Sequence, residues 1–162
     1  MIQLKNHIIE RLNNRSMVLD VFYTEEKLNQ PMVIFCHGYK GFKDWGPWNI
    51  MSQIMAKQDV CLIKFNFSHN GGSVNNPIDF PDLEAFGQNN YSKELNDLND
   101  ILDWAQHHFK ENAYIDVDNI VLIGHSRGGG IALLKAHEDE RRKKVVTLAG
   151  VSDFESRFGT TE

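Results

Sequence analysis

Four short, nearly continuous apolar runs constrain this chain most: MVIFC (32–36), VCLIKFNF (60–67), NIVLIG (119–124) and KVVTLAG (144–150). A strand that is apolar on both sides of its pleat is buried on both faces, so helices must cover its sheet front and back. Helical patterns do lie between the runs. Pro47 suits a first helical turn, and the following WNIMSQIMAKQ carries Ile50, Ile54 and Met55. From Tyr91 to Lys110, Leu95, Leu98, Leu102, Ala105 and Phe109 recur at three- and four-residue spacing and share one face. RGGGIALLKAHED (127–139) reads as another helix, despite glycines that weaken it. Strands alternating with helices predict right-handed crossovers around a mostly parallel sheet, an α/β fold built as a three-layer α/β/α sandwich. Two β-like runs, HIIERLN and SMVLDVFYT, joined through Asn13, Asn14 and Arg15, add an N-terminal hairpin.

The bulk properties fit one soluble domain spanning residues 1–162, since this length gives one sizeable core rather than two. A formal charge of −5 disfavours nucleic acid and anionic membranes as partners and points to small organic molecules. The basic cluster ERRKK (140–144) is expected to be a solvated turn. Cys36 and Cys61 each sit inside an apolar run, as reduced cysteines acting as small hydrophobes do. The N-terminus lacks a signal-peptide pattern and no apolar run reaches membrane-spanning length, so the expected compartment is the cytoplasm. Neither paired histidines at helical spacing nor clustered cysteines occur, and no metal or organic cofactor is expected.

GHSRG (124–128) stands between an expected strand and an expected helix. Gly-x-Ser-x-Gly acquires meaning in that setting, because a tight turn lifts the serine hydroxyl above the sheet edge and small neighbours let the chain pass. The following amide, that of Arg127, would sit at a helix N-terminus and could donate to a developing oxyanion. Ser126 is therefore the candidate nucleophile. The bland alternative is a glycine-rich connection carrying an incidental serine.

GHSRGG resembles the nucleophile elbow of the α/β-hydrolase superfamily, and HGYKGFKDW (37–45), directly after the first central strand, resembles its oxyanion-hole loop. FSHNGGS (67–73) is similar to a loop of small esterase-like, dienelactone-hydrolase-like or prolyl-oligopeptidase-like members. The resemblance implies an acyl-enzyme serine hydrolase acting on a small-molecule carboxylic ester or related acyl bond. The Tyr39 and Arg127 amides would form its oxyanion hole. Phe80, Leu83 and Phe86 in the long loop that follows could wall or cover the site.

A serine nucleophile needs an imidazole base, itself oriented by a carboxylate, and the family order is Ser, then Asp or Glu, then His. Only His137 follows Ser126, eleven residues on in the same expected helix and so roughly 16 Å away, which disqualifies it. His37 resembles the structural histidine of the oxyanion loop, and His125 is expected to pack beside the elbow. His69 lies on a loop that could approach the site, while His7, His107 and His108 read as surface or partly buried residues. Asp153, after the last strand, is the candidate acid, with helix capping at SDFESRF as its alternative. The expectation is an N-terminal portion of a longer hydrolase, with about six of the family's usual eight central strands, inactive or weak by itself. The competing expectation is a noncatalytic binding or scaffold domain that keeps the elbow only as a turn. KVVTLAG as an uncovered edge strand would favour self-association; the oligomeric state itself is not specified by the sequence.

Overall fold

The computed structural model describes residues 1–154, apart from the side chains of Arg142 and Lys143. Its strands are β1 (Ile2–Ile9), β2 (Met17–Tyr23), β3 (Gln30–Cys36), β4 (Cys61–Phe65), β5 (Ile115–His125) and β6 (Arg142–Leu148). Its helices are α1 (Trp48–Lys57), α2 (Leu83–Gly87), α3 (Tyr91–Phe109) and α4 (Arg127–Glu138). The sheet order is β1-β2-β4-β3-β5-β6. β1 pairs antiparallel with β2, and β2 antiparallel with β4. The pairs β3/β4, β3/β5 and β5/β6 are parallel, as the alternation of strands and helices requires.

Alternate strand residues separate the two layers. Met17, Leu19, Val21, Met32, Ile34, Cys36, Cys61, Ile63, Phe65, Ile120 and Leu122 join Leu98, Ile101, Leu102, Ala105 and Phe109 of α3 and Ile131 and Ala132 of α4 in the main core. The opposite face receives α1, with Phe35 and Trp48 in ring contact at 4.6 Å. The helix α3 starts at an Asn90 cap whose side chain accepts from the Lys93 amide, which satisfies one of the orphan donors of the first turn. Both cysteines are free and buried, and burial pushes the Cys61 thiol up to about 12.

Three details differ from the sequence reading. The helix α1 buries Trp48, Ser52 and Ala56 and leaves Ile50 and Ile54 exposed, because the large indole and two small residues fit the close approach to the sheet better than two isoleucines. The basic cluster is only partly a turn, since Arg142, Lys143 and Lys144 already belong to β6, where Arg142 and Lys144 pair with Ile120 and Val121 of β5. The first strand begins at Ile2 rather than His7. At the other edge, β6 carries the partly exposed Val146 and Leu148. Of the helix expected from SDFESRF (152–158), residues 152–154 are not helical and residues 155–158 lie outside the described residues.

Candidate active site

The strand β5 ends at His125, α4 begins at Arg127, and Ser126 makes the whole connection with φ 52° and ψ −118°. A positive φ is sterically costly for a residue with a Cβ, so surrounding structure must enforce it. Hydrogen bonds do so from both sides. The Ser126 amide donates to Leu148 O at 2.9 Å, and the Ser126 carbonyl accepts from the Val151 amide at 3.0 Å, tying the elbow to the end of β6.

Two glycines make this turn possible by close approach. A Cβ at Gly124 would stand 2.2 Å from the Gly128 carbonyl oxygen, and one at Gly128 would stand 2.3 Å from the carbonyl oxygens of both Cys36 and His37. The first turn of α4 is thus pressed against the end of β3, where the loop 37–47 departs. This contact brings the elbow and that loop together, and Gly38 shows how closely: a Cβ there would meet Ser126 Cβ at 3.1 Å.

The loop 37–47 is held from beneath. His37 is buried, its Nδ1 donates to Gly38 O at 2.9 Å, and its Nε2 accepts from the Phe67 amide at 3.2 Å. Accepting at Nε2 fixes the proton on Nδ1 and requires the neutral ring. Burial accordingly lowers the His37 pKa to about 4. Asn70 Nδ2 donates to Gly41 O at 3.2 Å, and the Lys43 amide donates to Asn66 Oδ1 at 2.6 Å. Among the described residues the Tyr39 amide has no acceptor, so the loop leaves that donor unspent beside the elbow.

Because His37 is neutral when folded, it contributes stability that is fully present above the unfolded histidine value of 6.5 and is lost as pH falls towards about 4. The shift is worth on the order of 3 kcal/mol. Denaturation midpoints measured across this window should fall more steeply for the natural protein than for His37→Asn, which keeps a donor and an acceptor but does not titrate. Equal slopes would show that His37 does not carry this dependence.

A buried charge cluster supports the same loop from the α1 face of the sheet. Asp20 of β2 and Lys64 of β4 are cross-strand partners and, like Lys43 of the loop, are fully buried. Lys64 Nζ reaches the Asp20 carboxylate at 2.7 Å and Lys43 Nζ reaches it at 3.0 Å, while Asp44 pairs with both lysines. The Asn6 amide adds a hydrogen bond to Asp20 at 2.8 Å. Burial opposes ionisation of Asp20, but the bonds and charges of Lys64, Asn6 and Lys43 outweigh it and hold the carboxyl below its usual range. Lys5 of β1, partly exposed, reaches the same Asp20 carboxylate from the rim at 3.4 Å. The loop is thus ionically fastened to the central strands through Lys43 and Asp44. Sequence reasoning passed over these residues; the available signal was an aspartate and a lysine interrupting apolar strand runs.

The side chain of Arg127 turns away from its own helix. Its Nε donates to Glu94 Oε1 and Oε2 at 3.0 and 2.8 Å, and its guanidinium lies 4.1 Å over the Tyr91 ring. The start of α3 therefore braces the residue whose amide follows the serine. Burial raises the Glu94 pKa against the pull of Arg127.

The remaining sequence candidates are dispersed. His125 packs on Trp48 and Trp45, with ring centroids 5.3 and 6.2 Å away. His69 bonds through Nδ1 to Ser68 Oγ at 2.7 Å, and Ser68 in turn bonds Asp97, so this ring nitrogen is engaged within its own loop. His7 and His108 flank Trp104, and His137 lies in the last turn of α4. Among the described residues no imidazole hydrogen-bonds the Ser126 hydroxyl. Asp153 is exposed on the loop after β6. Phe80 and Phe86 pack together and Phe86 meets Tyr39 at 5.3 Å, whereas Leu83 points to solvent. Among the described residues no group of histidine, cysteine or carboxylate side chains could hold a metal ion, and no helix is long and apolar enough to cross a membrane.

Comparison with known proteins places the fold. A putative dienelactone hydrolase from Klebsiella pneumoniae superposes with TM-score 0.67 at 20% identity, over 94% of this chain and 62% of that one. An alpha/beta hydrolase from Penicillium matches with TM-score 0.73 at 18% identity, over 94% and 47%. The chain has the α/β-hydrolase fold. An alpha-beta serine hydrolase homologue from Coxiella burnetii shares this hydrolase fold with TM-score 0.69 at 18% identity, over 94% of this chain and 66% of its own. The model of the prolyl oligopeptidase family matches residues 84–162, the part of the hydrolase fold that includes the elbow. No curated protein sequence matches. The chain spans about 62% of the Klebsiella protein's length and 47% of the Penicillium protein's.

Proposed function

We propose that the protein to which these residues belong is a serine hydrolase of carboxylic esters or related acyl bonds, working through an acyl-enzyme at Ser126. The observation that carries this reading is the strained Ser126 turn, held at φ 52° between a parallel strand and a helix N-terminus, directly beside a loop with an unspent amide. Ser126 Oγ attacks the substrate carbonyl, and its proton passes to a base. The negative charge that develops on the carbonyl oxygen is met by the amides of Tyr39 and Arg127, in a field made favourable by the start of α4. Collapse expels the alcohol, which takes up the proton, and water then releases the acid by the reverse sequence.

None of the seven histidines hydrogen-bonds the Ser126 hydroxyl as a base would. The 162-residue chain alone is therefore inactive or weak in this reading, and Asp153, exposed after β6, is the proposed acid partner for a histidine supplied from elsewhere. A small-molecule substrate, no cofactor and a cytoplasmic location complete the proposal.

The match to the prolyl oligopeptidase family favours a second reading, hydrolysis of peptide bonds. A parallel assay of the full-length protein on p-nitrophenyl acetate and on a proline-containing peptidyl p-nitroanilide separates the two. Faster ester turnover, with little anilide cleavage, is the expected result. Anilide cleavage as fast as ester cleavage would replace the esterase reading by the peptidase one, and failure on both substrates would favour a noncatalytic domain.

A further inference from the structure

Beside the elbow lies a cavity of about 210 Å³, lined by loop residues 38–41 and by the rings of Trp45, Trp48 and His125. These rings form a contiguous wall: Trp45 and Trp48 are 6.0 Å apart, Trp45 and His125 lie nearly parallel at 6.2 Å, and Trp48 and His125 are 5.3 Å apart. Trp48 is buried in the sheet contact, but Trp45 remains 48% exposed and Tyr39 at the rim 60% exposed. Large aromatic faces kept open to solvent in one place are characteristic of a binding surface rather than of packing. The volume is sufficient, since an apolar cavity of about 150 Å³ already holds benzene. Gly38 and His125 belong both to this wall and to the immediate surroundings of Ser126, because a Cβ on Gly38 would meet His125 Nδ1 and Ser126 Cβ at 3.1 Å each.

We propose that this cavity is a subsite for an aromatic ring of the substrate, with Trp45, Trp48 and His125 supplying the faces and edges against which the ring stacks. Nothing in the attack on a carbonyl requires such a wall, so it adds a substrate preference to the chemistry. Assigning the ring to the substrate rests on the reading of Ser126 as nucleophile; the existence of the aromatic site does not.

Binding can therefore be measured without turnover. The chain has three tryptophans, and the third, Trp104, sits on α3 across the sheet, stacked on His108 at 4.5 Å. In nitrogen-15 correlation spectra of the protein titrated with benzamide, the indole N–H signals of Trp45 and Trp48 should shift saturably while that of Trp104 stays in place. The same shifts are expected in Ser126→Ala. Cyclohexanecarboxamide, of similar size but without a π face, should bind at least tenfold more weakly. Trp45→Leu should weaken benzamide binding at least tenfold, with the unmoved Trp104 signal showing that the fold is retained.

Absence of saturable shifts with benzamide, equal binding of the cyclohexyl compound, or unchanged binding by Trp45→Leu would each overturn the proposal. The two readings fail separately. Benzamide binding in a protein without serine-dependent turnover removes the hydrolase and keeps the aromatic site, whereas serine-dependent turnover without benzamide binding does the reverse.

Discussion

In the full-length protein, Ser126→Ala is expected to lower turnover of p-nitrophenyl acetate about 10⁶-fold, as removal of the nucleophile does in a serine enzyme whose catalytic groups act as a unit. The substitution deletes one hydroxyl and leaves the elbow otherwise unchanged. Alanine has the same steric problem at φ 52° that serine has, so the enforced turn is neither relieved nor worsened. The thermal midpoint should stay within about two degrees, because the Ser126 hydroxyl makes no capping hydrogen bond and its loss leaves the strain of the turn as it was. Residual turnover would come from the Tyr39 and Arg127 amides polarising the ester towards water. A fall smaller than tenfold would move the nucleophile elsewhere and leave the strained turn without a chemical purpose.

The largest effect on stability is expected at Asp20. Asp20→Ala removes the carboxylate that Lys43 and Lys64 share inside the sheet and leaves those two ammonium groups with Asp44 alone. Breaking a buried ionic cluster from one side typically costs about 3–5 kcal/mol, because the remaining charge is neither solvated nor paired. Chemical denaturation should register a loss of that order. Much of it should return in Asp20→Leu combined with Lys64→Met, since replacing both partners by apolar side chains removes the uncompensated charge. The same cluster fastens the loop that carries Tyr39, so under the proposed function Asp20→Ala in the full-length protein should also depress ester turnover by more than its effect on the folded fraction. A loss below about 1 kcal/mol would mean that water reaches the lysines and that the cluster is not the dry network its geometry describes.

The sheet and the elbow were legible because their signals are local. Apolar runs such as MVIFC and NIVLIG can be satisfied only between two helical layers, and Gly124 and Gly128 flank Ser126 because backbone carbonyls pass 2.2 and 2.3 Å from where their Cβ atoms would stand. The face of α1 was misread because its periodicity favoured Ile50 and Ile54, while contact with Phe35 selected Trp48 and the small Ser52 and Ala56. The supports of the site were hidden for a different reason. Asp20 and Lys64 become meaningful only when an antiparallel register places them opposite each other, and Glu94 meets Arg127 only through the packing of α3 against α4. Pairings between residues 33 to 44 positions apart leave no trace in local pattern. The aromatic wall is likewise assembled from two segments, Trp45 in the loop before α1 with Trp48 at its first position, and His125 at the end of β5, whose proximity the sequence order conceals.

The most direct test of the central claim is to trap the covalent intermediate. The full-length protein would be mixed with p-nitrophenyl acetate, quenched in acid within the first turnovers, digested and analysed by mass spectrometry. The account predicts one acetyl group on the peptide containing Ser126, located on that serine by fragmentation and absent from Ser126→Ala. Steady turnover with the acetyl group on another residue, such as Tyr39 or Lys40, and with Ser126 unmodified, would contradict it.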